Sequence, residues 1–369
     1  MQNFHCDHCG HLVYFENVRC DACGHRLGYL TDRRTMNALA PGPQGLWRRA
    51  AASDDQHRYR MCQNYSVHNV CNWMLLADDP NELCASCRLT EIIPALGLQQ
   101  NRIAWYRMEQ AKRRLIYTLS TLGLSTPSRT EDPVNGLAFR FLADSAQTGR
   151  VLTGHQSGVI TLNIAESDDL TRERTRSQMG EPYRTLAGHF RHEIGHYYWY
   201  RLFESEGALA AFRLQFGDER ADYSASLQRH YEQGPAPNWR QGFVSAYASA
   251  HPWEDWAETW AQYLHMVDAL ETVQAVGLQL APAQREDPSL MQQSNPGTKE
   301  SFHSMLERWF PLSYLLNNLH RSLGMPDGYQ FTLAVAVIGK LGFVHDVVQA
   351  RVAGPDRAGA GSSAAIAAV

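Results

Sequence analysis

No cysteine occurs after Cys87 in this 369-residue chain, although eight stand before it. A disulfide framework spread through the fold is thereby excluded. Eight thiols crowded into the first 87 residues point to metal instead. Long hydrophobic runs are also missing. The longest lies near Phe331–Val344, is interrupted by Lys340, and is too short and too charged to span a membrane. It reads as a buried C-terminal helix. Neither sign of charge dominates: 34 Lys+Arg stand against 38 Asp+Glu, a net charge of -4. Residues 1–130 hold 15 basic against 11 acidic side chains and the remainder 19 against 27, which would steer a polyanion only weakly. No apolar stretch separates Met1 from the first cysteine motif, so no secretory signal is expected and the protein reads as cytoplasmic. No internal repeat is seen apart from a doubled cysteine knuckle. The apolar fraction of 44% and charged fraction of 20% are those of an ordinary globular chain, long enough for more than one domain.

The doubled knuckle is Cys6-x-x-Cys9-Gly10-His11 and Cys20-x-x-Cys23-Gly24-His25. Each Cys-x-x-Cys turn lets two thiolates share one ion, and the following glycine accepts a left-handed backbone. Together Cys6, Cys9, Cys20 and Cys23 make a tetrahedral four-thiolate zinc site. Thirty residues bury little core, so the metal must supply much of the folding energy. His8, His11 and His25 could each replace a cysteine, but four thiolates suffice. The second set is Cys62, Cys71, Cys84 and Cys87, with a tight knuckle only at Cys84-x-x-Cys87. It implies a second structural zinc, with His68 as reserve ligand and buried free thiols as the alternative.

Residues 31–53 contain Pro41-Gly42-Pro43 and read as a linker or irregular arm. A helix is expected from near Gln100, where Arg102, Arg107, Lys112, Arg113 and Arg114 read as a solvated basic face. Residues 136–142 and 158–165 alternate like strands. Helices are expected at roughly 182–204, 242–250, 252–275, 299–323 and 328–350, followed by a disordered Ala/Gly/Ser-rich tail.

The chemistry centres on His192-Glu193-Ile194-Gly195-His196. On a helix, positions i and i+4 share a face, so both imidazoles can reach one ion while Glu193 takes a proton from a water held there. The best source of a third ligand is His251-Pro252-Trp253-Glu254-Asp255-Trp256-Ala257-Glu258-Thr259-Trp260. Pro252 suits a first helical turn, and Glu254 and Glu258 then lie one turn apart. Glu254 would bind zinc, and Glu258 would orient a ligating histidine through its far nitrogen. His189 lies one turn before His192 and could support the site from behind the ligands, but reads first as an ordinary surface or core histidine. Asp218, Glu219, Asp222 and Tyr223 read first as a solvated acidic loop between the two motifs, with a place lining the cleft as the alternative.

With these motifs, the chain resembles the bacterial family of zinc-ribbon proteins that carry a zinc-binding metallopeptidase domain. Cys71-Asn72-Trp73, Leu83-Cys84-x-x-Cys87, Gly188-His189-Phe190-Arg191-His192-Glu193-Ile194-Gly195-His196-Tyr197-Tyr198-Trp199 and the segment from His251 to Trp260 carry the resemblance, which covers the chain to about residue 350. It implies a gluzincin-like peptidase without naming a substrate. A more distant likeness is to the catalytic domain of anthrax lethal factor. It implies a catalytic tyrosine seven residues before the ligating glutamate, which here is Tyr247.

The expected architecture is α+β: a mostly helical zincin-like metallopeptidase domain preceded by small zinc-ribbon modules. The expected boundaries are residues 1–30 for the ribbon, 31–98 for linker and second cysteine module, 99–350 for the peptidase domain and 351–369 for the tail. The expected cofactors are one catalytic and two structural Zn2+. The function read from these residues is hydrolysis of a peptide or related amide bond, with Glu193 as general base and a Tyr247 phenol at the oxyanion. The alternative is a non-catalytic zinc-binding protein acting as a protein- or nucleic-acid-binding module. A peptide or protein substrate is expected, and a protein partner could dock on the ribbon. Neither nucleic acid nor membrane is expected as a partner.

Overall fold

The computed structural model describes residues 1–52, 56–145, 149–169, 172, 185–284, 286–290, 301–330 and 332–353. The fold is α+β, with two four-cysteine clusters in the N-terminal region and a mainly helical region after them. The expected tail from residue 354 lies outside the described residues, as do 182–184, 299–300 and 331 of three expected helices.

The chain divides into two compact units, and the division falls inside three helices. The first comprises Met1–Ile116, Pro127–Tyr197 and Val267–Gln279. It opens with the ribbon, where β1 (Phe4–His5) pairs antiparallel with β2 (Leu12–Val13). A closed five-stranded barrel follows: β3 (Arg26–Leu30), β4 (Thr35–Pro41), β5 (Trp47–Arg49), β6 (Tyr59–Met61) and β7 (Trp73–Leu76). Neighbours run antiparallel, and β7 closes the barrel parallel to β3, with Tyr29 opposite Trp73. Residues 31–53 therefore differ from the irregular arm expected of them, because Pro41-Gly42-Pro43 makes a turn between paired strands. In that turn the Gly42 amide donates to the Leu46 carbonyl at 2.8 Å. Phe4 of the ribbon stacks on Phe15, Phe15 meets Tyr29 of the barrel edge-on, and Tyr29 lies tilted against Trp73. Gly28 is required by close packing, since a Cβ there would meet Met74 at 2.6 Å and Leu39 at 2.8 Å.

A short helix, α1 (Gln63–Ser66), links β6 to β7. Beyond β8 (Thr90–Ile92), α2 (Gln99–Thr121) runs along the sheet formed by β8, β9 (Ala138–Leu142), β10 (Gly154–Gln156) and β11 (Val159–Asn163). The strand order is β10-β11-β9-β8; β11 and β8 run parallel to β9, while β10 is antiparallel to β11. The basic face expected on α2 is only partly solvated. Arg102, Arg107 and Arg114 are exposed, but Lys112 and Arg113 are buried. Burial is offset by partners: Lys112 pairs with Glu109 at 2.9 Å, and its ammonium lies against the rings of Phe139 and Phe141. Helix α3 (Leu186–Leu202) carries the His-Glu-x-x-His motif. Thr185 begins it, accepting the Gly188 amide at 2.9 Å as an N-terminal cap does. Phe190 and Ile194 are fully buried, and Phe190 packs on Phe139 and Phe141.

The second unit comprises Tyr117–Thr126, Tyr198–Met266 and the described part of Leu280–Val369. Two helices not expected from the sequence, α4 (Glu206–Phe216) and α5 (Tyr223–Gln233), flank the expected acidic loop, in which Asp218, Glu219 and Asp222 lie. Their caps are local: Ser205 and Asp222 accept the Ala208 and Ala225 amides, while Gly217 and Gly234 end the helices at positive φ. The expected helix at 242–250 is reduced to a 3-10 turn at Tyr247–Ala250. Then come α6 (Pro252–Val276), α7 (Phe302–Ser322) and α8 (Val335–Ala353). Trp256 is fully buried among Phe203, Phe212 and Phe216, and Trp260 lies against Tyr198. No helix among the described residues is long and apolar enough to cross a membrane.

Lys340 sits at 8% exposure on α8, with its ammonium 2.6 Å from both Asp255 Oδ2 and the Gly242 carbonyl. Lys340→Ala would leave the Asp255 carboxyl buried without its cation. The expected loss is about 3 kcal/mol of stability, seen as a lower denaturation midpoint. An unchanged midpoint would refute this reading of the pair.

Candidate metal centres

Among the described residues two groups of cysteines bring their sulfurs within 4.8 Å of one another, Cys6/Cys9/Cys20/Cys23 and Cys62/Cys71/Cys84/Cys87, and a third candidate is the histidine pair His192/His196. Matching backbone bonds build the two knuckles of the first group. The Cys6 amide donates to the His11 carbonyl and that of Gly10 to Cys6; the Cys20 amide donates to His25 and that of Gly24 to Cys20. Gly10 and Gly24 both have φ of 74°, the left-handed backbone expected after each knuckle. Sulfur separations are 3.6 Å for Cys6–Cys23 and 3.7 Å for Cys9–Cys20. Those exceed the ~2.05 Å of a disulfide. They match the edge of a sulfur tetrahedron around zinc, about 3.8 Å for ~2.3 Å bonds.

The second group is buried throughout. Cys71 and Cys84 sulfurs lie 3.8 Å apart, and the Cys84, Cys87 and Trp73 amides each point at a cysteine sulfur at 3.4 Å. Burial pushes the Cys6 thiol up to about 12; it drives Cys84 well above the usual thiol value, reinforced by hydrogen bonds from Cys62 and Cys71. Burial raises Cys20 too, but amides of Cys23 and Ala22 outweigh it and bring that thiol to about 7. Four such sulfurs ionise together only around a cation, so the donor set fits zinc. For buried Arg113, desolvation is outweighed by Cys71, Cys87, Glu109 and Cys84, and its pKa rises. It supplies positive charge beside the sulfurs and donates to the Val70 carbonyl. His68 stacks edge-on to Trp105 and is absent from the donor group. His8 and His25 lie ring to ring at 4.2 Å, also outside the first group.

The histidine pair stands on α3, while Glu254 lies on α6. His192 and His196 converge through their Nε2 atoms, 3.1 Å apart, close to the ~3.3 Å edge expected of two nitrogens about a tetrahedral zinc. Residues 101–347 match the family described as "Putative zinc-binding metallo-peptidase", and residues 3–98 match a zinc-ribbon domain. The chain belongs to this metallopeptidase family.

Its relatives include proteins from two strains of Mycobacterium tuberculosis and one from Mycobacterium bovis, each described as uncharacterized. Each is 44% identical over 349 residues, covering 94% of this chain and 95% of the relative. No solved structure matches the chain.

Within the metallopeptidase domain, side chains outside the motifs hold the donors in place. His251 caps α6: its Nδ1 accepts the Trp253 amide at 3.1 Å, which leaves Nε2 to donate to the Ala221 carbonyl at 3.0 Å. Tyr223 donates its hydroxyl to Glu254 Oε1 at 2.6 Å. Glu258 accepts from the Ser245 hydroxyl at 2.7 Å. Tyr247 is half-buried against the His230 ring. The acidic residues expected to be solvated are divided: Asp218 is exposed, while Glu219 is buried in a pair with Arg213.

Around α3, Glu193 is 4% exposed. His189 Nε2 stands 3.2 Å from Glu193 Oε1, and its Nδ1 bonds to Glu166. Burial would lower the His189 pKa, but Glu166 and Glu193 outweigh it and lift it to about 9. Burial would raise Glu193, but His189, His192 and His196 outweigh it and hold the carboxylate below its usual range. Burial, aided by His196, holds His155 down to about 4, and its Nε2 accepts the Gly158 amide. That ring stacks on His196 at 6.5 Å. His155 lies on β10, the outer strand of the sheet. The expected strand at 158–165 is β11, which is paired on both sides and has no free edge.

Sequence reasoning did not single out Glu166 or Ser245, gave His251 no role, and put a supporting role for His189 and a cleft position for Tyr223 second to ordinary surface or core readings. Only His251 had a local signal: a side chain just before Pro252 stands where a cap is needed.

Proposed function

We propose that this chain is a zinc-dependent peptidase of gluzincin type, with His192, His196 and Glu254 as zinc ligands and Glu193 as general base. The observation that carries the reading is the convergence of the His192 and His196 Nε2 atoms, 3.1 Å apart, with the buried Glu193 carboxylate beside them on α3. Two neutral nitrogens and one carboxylate leave a coordination position open, as a catalytic site needs. Zinc, when bound, would polarise the scissile carbonyl and lower the pKa of water toward ~7.

Glu193 Oε2 takes the proton of the attacking water and returns it to the leaving amine. Tyr223 and Ser245 hold Glu254 and Glu258 in place. Tyr247 is proposed as the phenol that meets the oxyanion. The free side of β10 would pair with an extended peptide and lead it past His155 to the metal ligands. The two cysteine groups are proposed as structural zinc sites, giving three ions per chain. Thiols committed to metal suit a reducing compartment such as the cytoplasm.

The test is cleavage of a broad peptide library by zinc-loaded protein, read by mass spectrometry. Cleavage that stops on mild chelation and returns with zinc is the expected result. A library left intact at three zinc ions per chain would favour the non-catalytic binding protein.

A further inference from the structure

Three histidines stand on one face of α3, at 189, 192 and 196, yet only the last two join the metal-donor group. His189 turns elsewhere. Its Nε2 meets Glu193 Oε1 at 3.2 Å, and its Nδ1 is bonded to Glu166 Oε2. The other Glu193 oxygen, Oε2, is buried and has no hydrogen-bond partner among the described residues. Glu166 is itself held. Thr153 donates its hydroxyl to Oε1, and Arg172 donates to the Glu166 carbonyl at 2.6 Å. Thr153 in turn accepts the amide of Asn163, the last residue of β11, at 3.1 Å. A continuous chain of bonds thus runs from the sheet through Thr153, Glu166 and His189 to Glu193.

A carboxylate swings easily about its last torsion, which has a broad, two-fold profile. One oxygen tied to a fixed imidazole N–H stops that swing and gives the second oxygen a single direction. The imidazole is fixed only if its other nitrogen is also held, which Glu166 does. An ordinary buried histidine would need partners, but would not need both to be carboxylates with one beside the metal-donor group.

We propose that His189, braced by Glu166, is a positioning residue that clamps Glu193 Oε1 and so makes Oε2 the base oxygen. The clamp stands on the hydrogen-bond geometry; its catalytic consequence rests on the peptidase reading above.

Two readouts test it, on full-length zinc-loaded protein. The first is NMR of the 15N-histidine-labelled chain, with His189 assigned by the signals lost in His189→Gln. Two imidazole N–H signals are expected from His189. Glu193→Gln should move the Nε2 signal, and Glu166→Gln the Nδ1 signal. The second readout is turnover on a peptide cleaved from the library. His189→Ala should lower kcat by about 10²-fold, the scale of a displaced reacting group, with KM and zinc content unchanged. His189→Gln should recover part of the loss, because its amide can still donate to Oε1. An Nε2 signal indifferent to Glu193→Gln overturns the clamp, as does wild-type kcat in His189→Ala. Reduced zinc in His189→Ala and His189→Gln alike would make His189 a ligand and overturn it too. If no peptide is cleaved but the Nε2 signal follows Glu193→Gln, the clamp stands and the peptidase reading fails.

Discussion

Glu193→Gln is expected to keep its zinc and its fold while turnover falls by about 10²–10⁴-fold. Glu193 lies outside the metal-donor group, so its replacement removes no ligand. Glutamine nearly matches its shape, and the buried site at 4% exposure needs no repacking. His189 Nε2 can still donate to the amide oxygen. On the proposed mechanism, what is lost is the basic oxygen that would accept a proton from water. Glu254→Gln should behave differently, because it replaces a negative donor and weakens zinc binding itself. Tyr247→Phe should leave zinc in place and cost rate only. The order of these effects is the diagnostic. Turnover by mass spectrometry and zinc by elemental analysis on the same samples separate them. Equal cleavage rates in wild type and Glu193→Gln at equal zinc content would end the peptidase reading of this site.

The parts of this site that could be read from sequence are those whose geometry is local. An i, i+4 histidine pair shares a face wherever a helix forms, and the α3 and α6 helices form where expected. A Cys-x-x-Cys-Gly knuckle fixes its own turn, and Gly10 and Gly24 take the backbone it requires. The missed features depend on partners far along the chain. Lys112 and Arg113 look like a solvated face until Glu109, the phenylalanines of β9 and the second cysteine group surround them. The barrel was missed because its strands have three to seven residues and close through the parallel pairing of β3 with β7, more than 40 positions apart. Glu166 carries no motif, and its bond to His189 spans 23 residues. The α4 and α5 helices are a different case. Ser205 and Asp222 as caps and Gly217 and Gly234 as stops were all visible locally, and the acidic loop that was expected is the short connection between the two helices.

Cys84→Ser should remove one zinc of three and unfold the region around the second cysteine group, whereas Cys9→Ser should remove one zinc with only local effect. The difference follows from where the sulfurs sit. Cys9 is exposed at the rim of the ribbon, while Cys84 is 1% exposed. Cys62 directly follows β6 and Cys71 precedes β7, so the second group pins the connection that closes the barrel. Cys87 leads into β8, and its sulfur lies 3.9 Å from Glu109 on α2. Zinc bound to four thiolates contributes on the order of 10–16 kcal/mol in isolated finger peptides, as much as the whole stability of an ordinary domain, about 5–15 kcal/mol. Without the ion, the remaining thiols would take up protons, and the Arg113 guanidinium would lose the negative charge it faces. Packing in a barrel this small cannot offset that loss. Limited proteolysis should therefore cut Cys84→Ser within residues 56–98 under conditions where wild type and Cys9→Ser resist there. Retention of all zinc by Cys84→Ser, or protection of that segment equal to wild type, would show that the barrel holds itself together and that these cysteines are buried thiols.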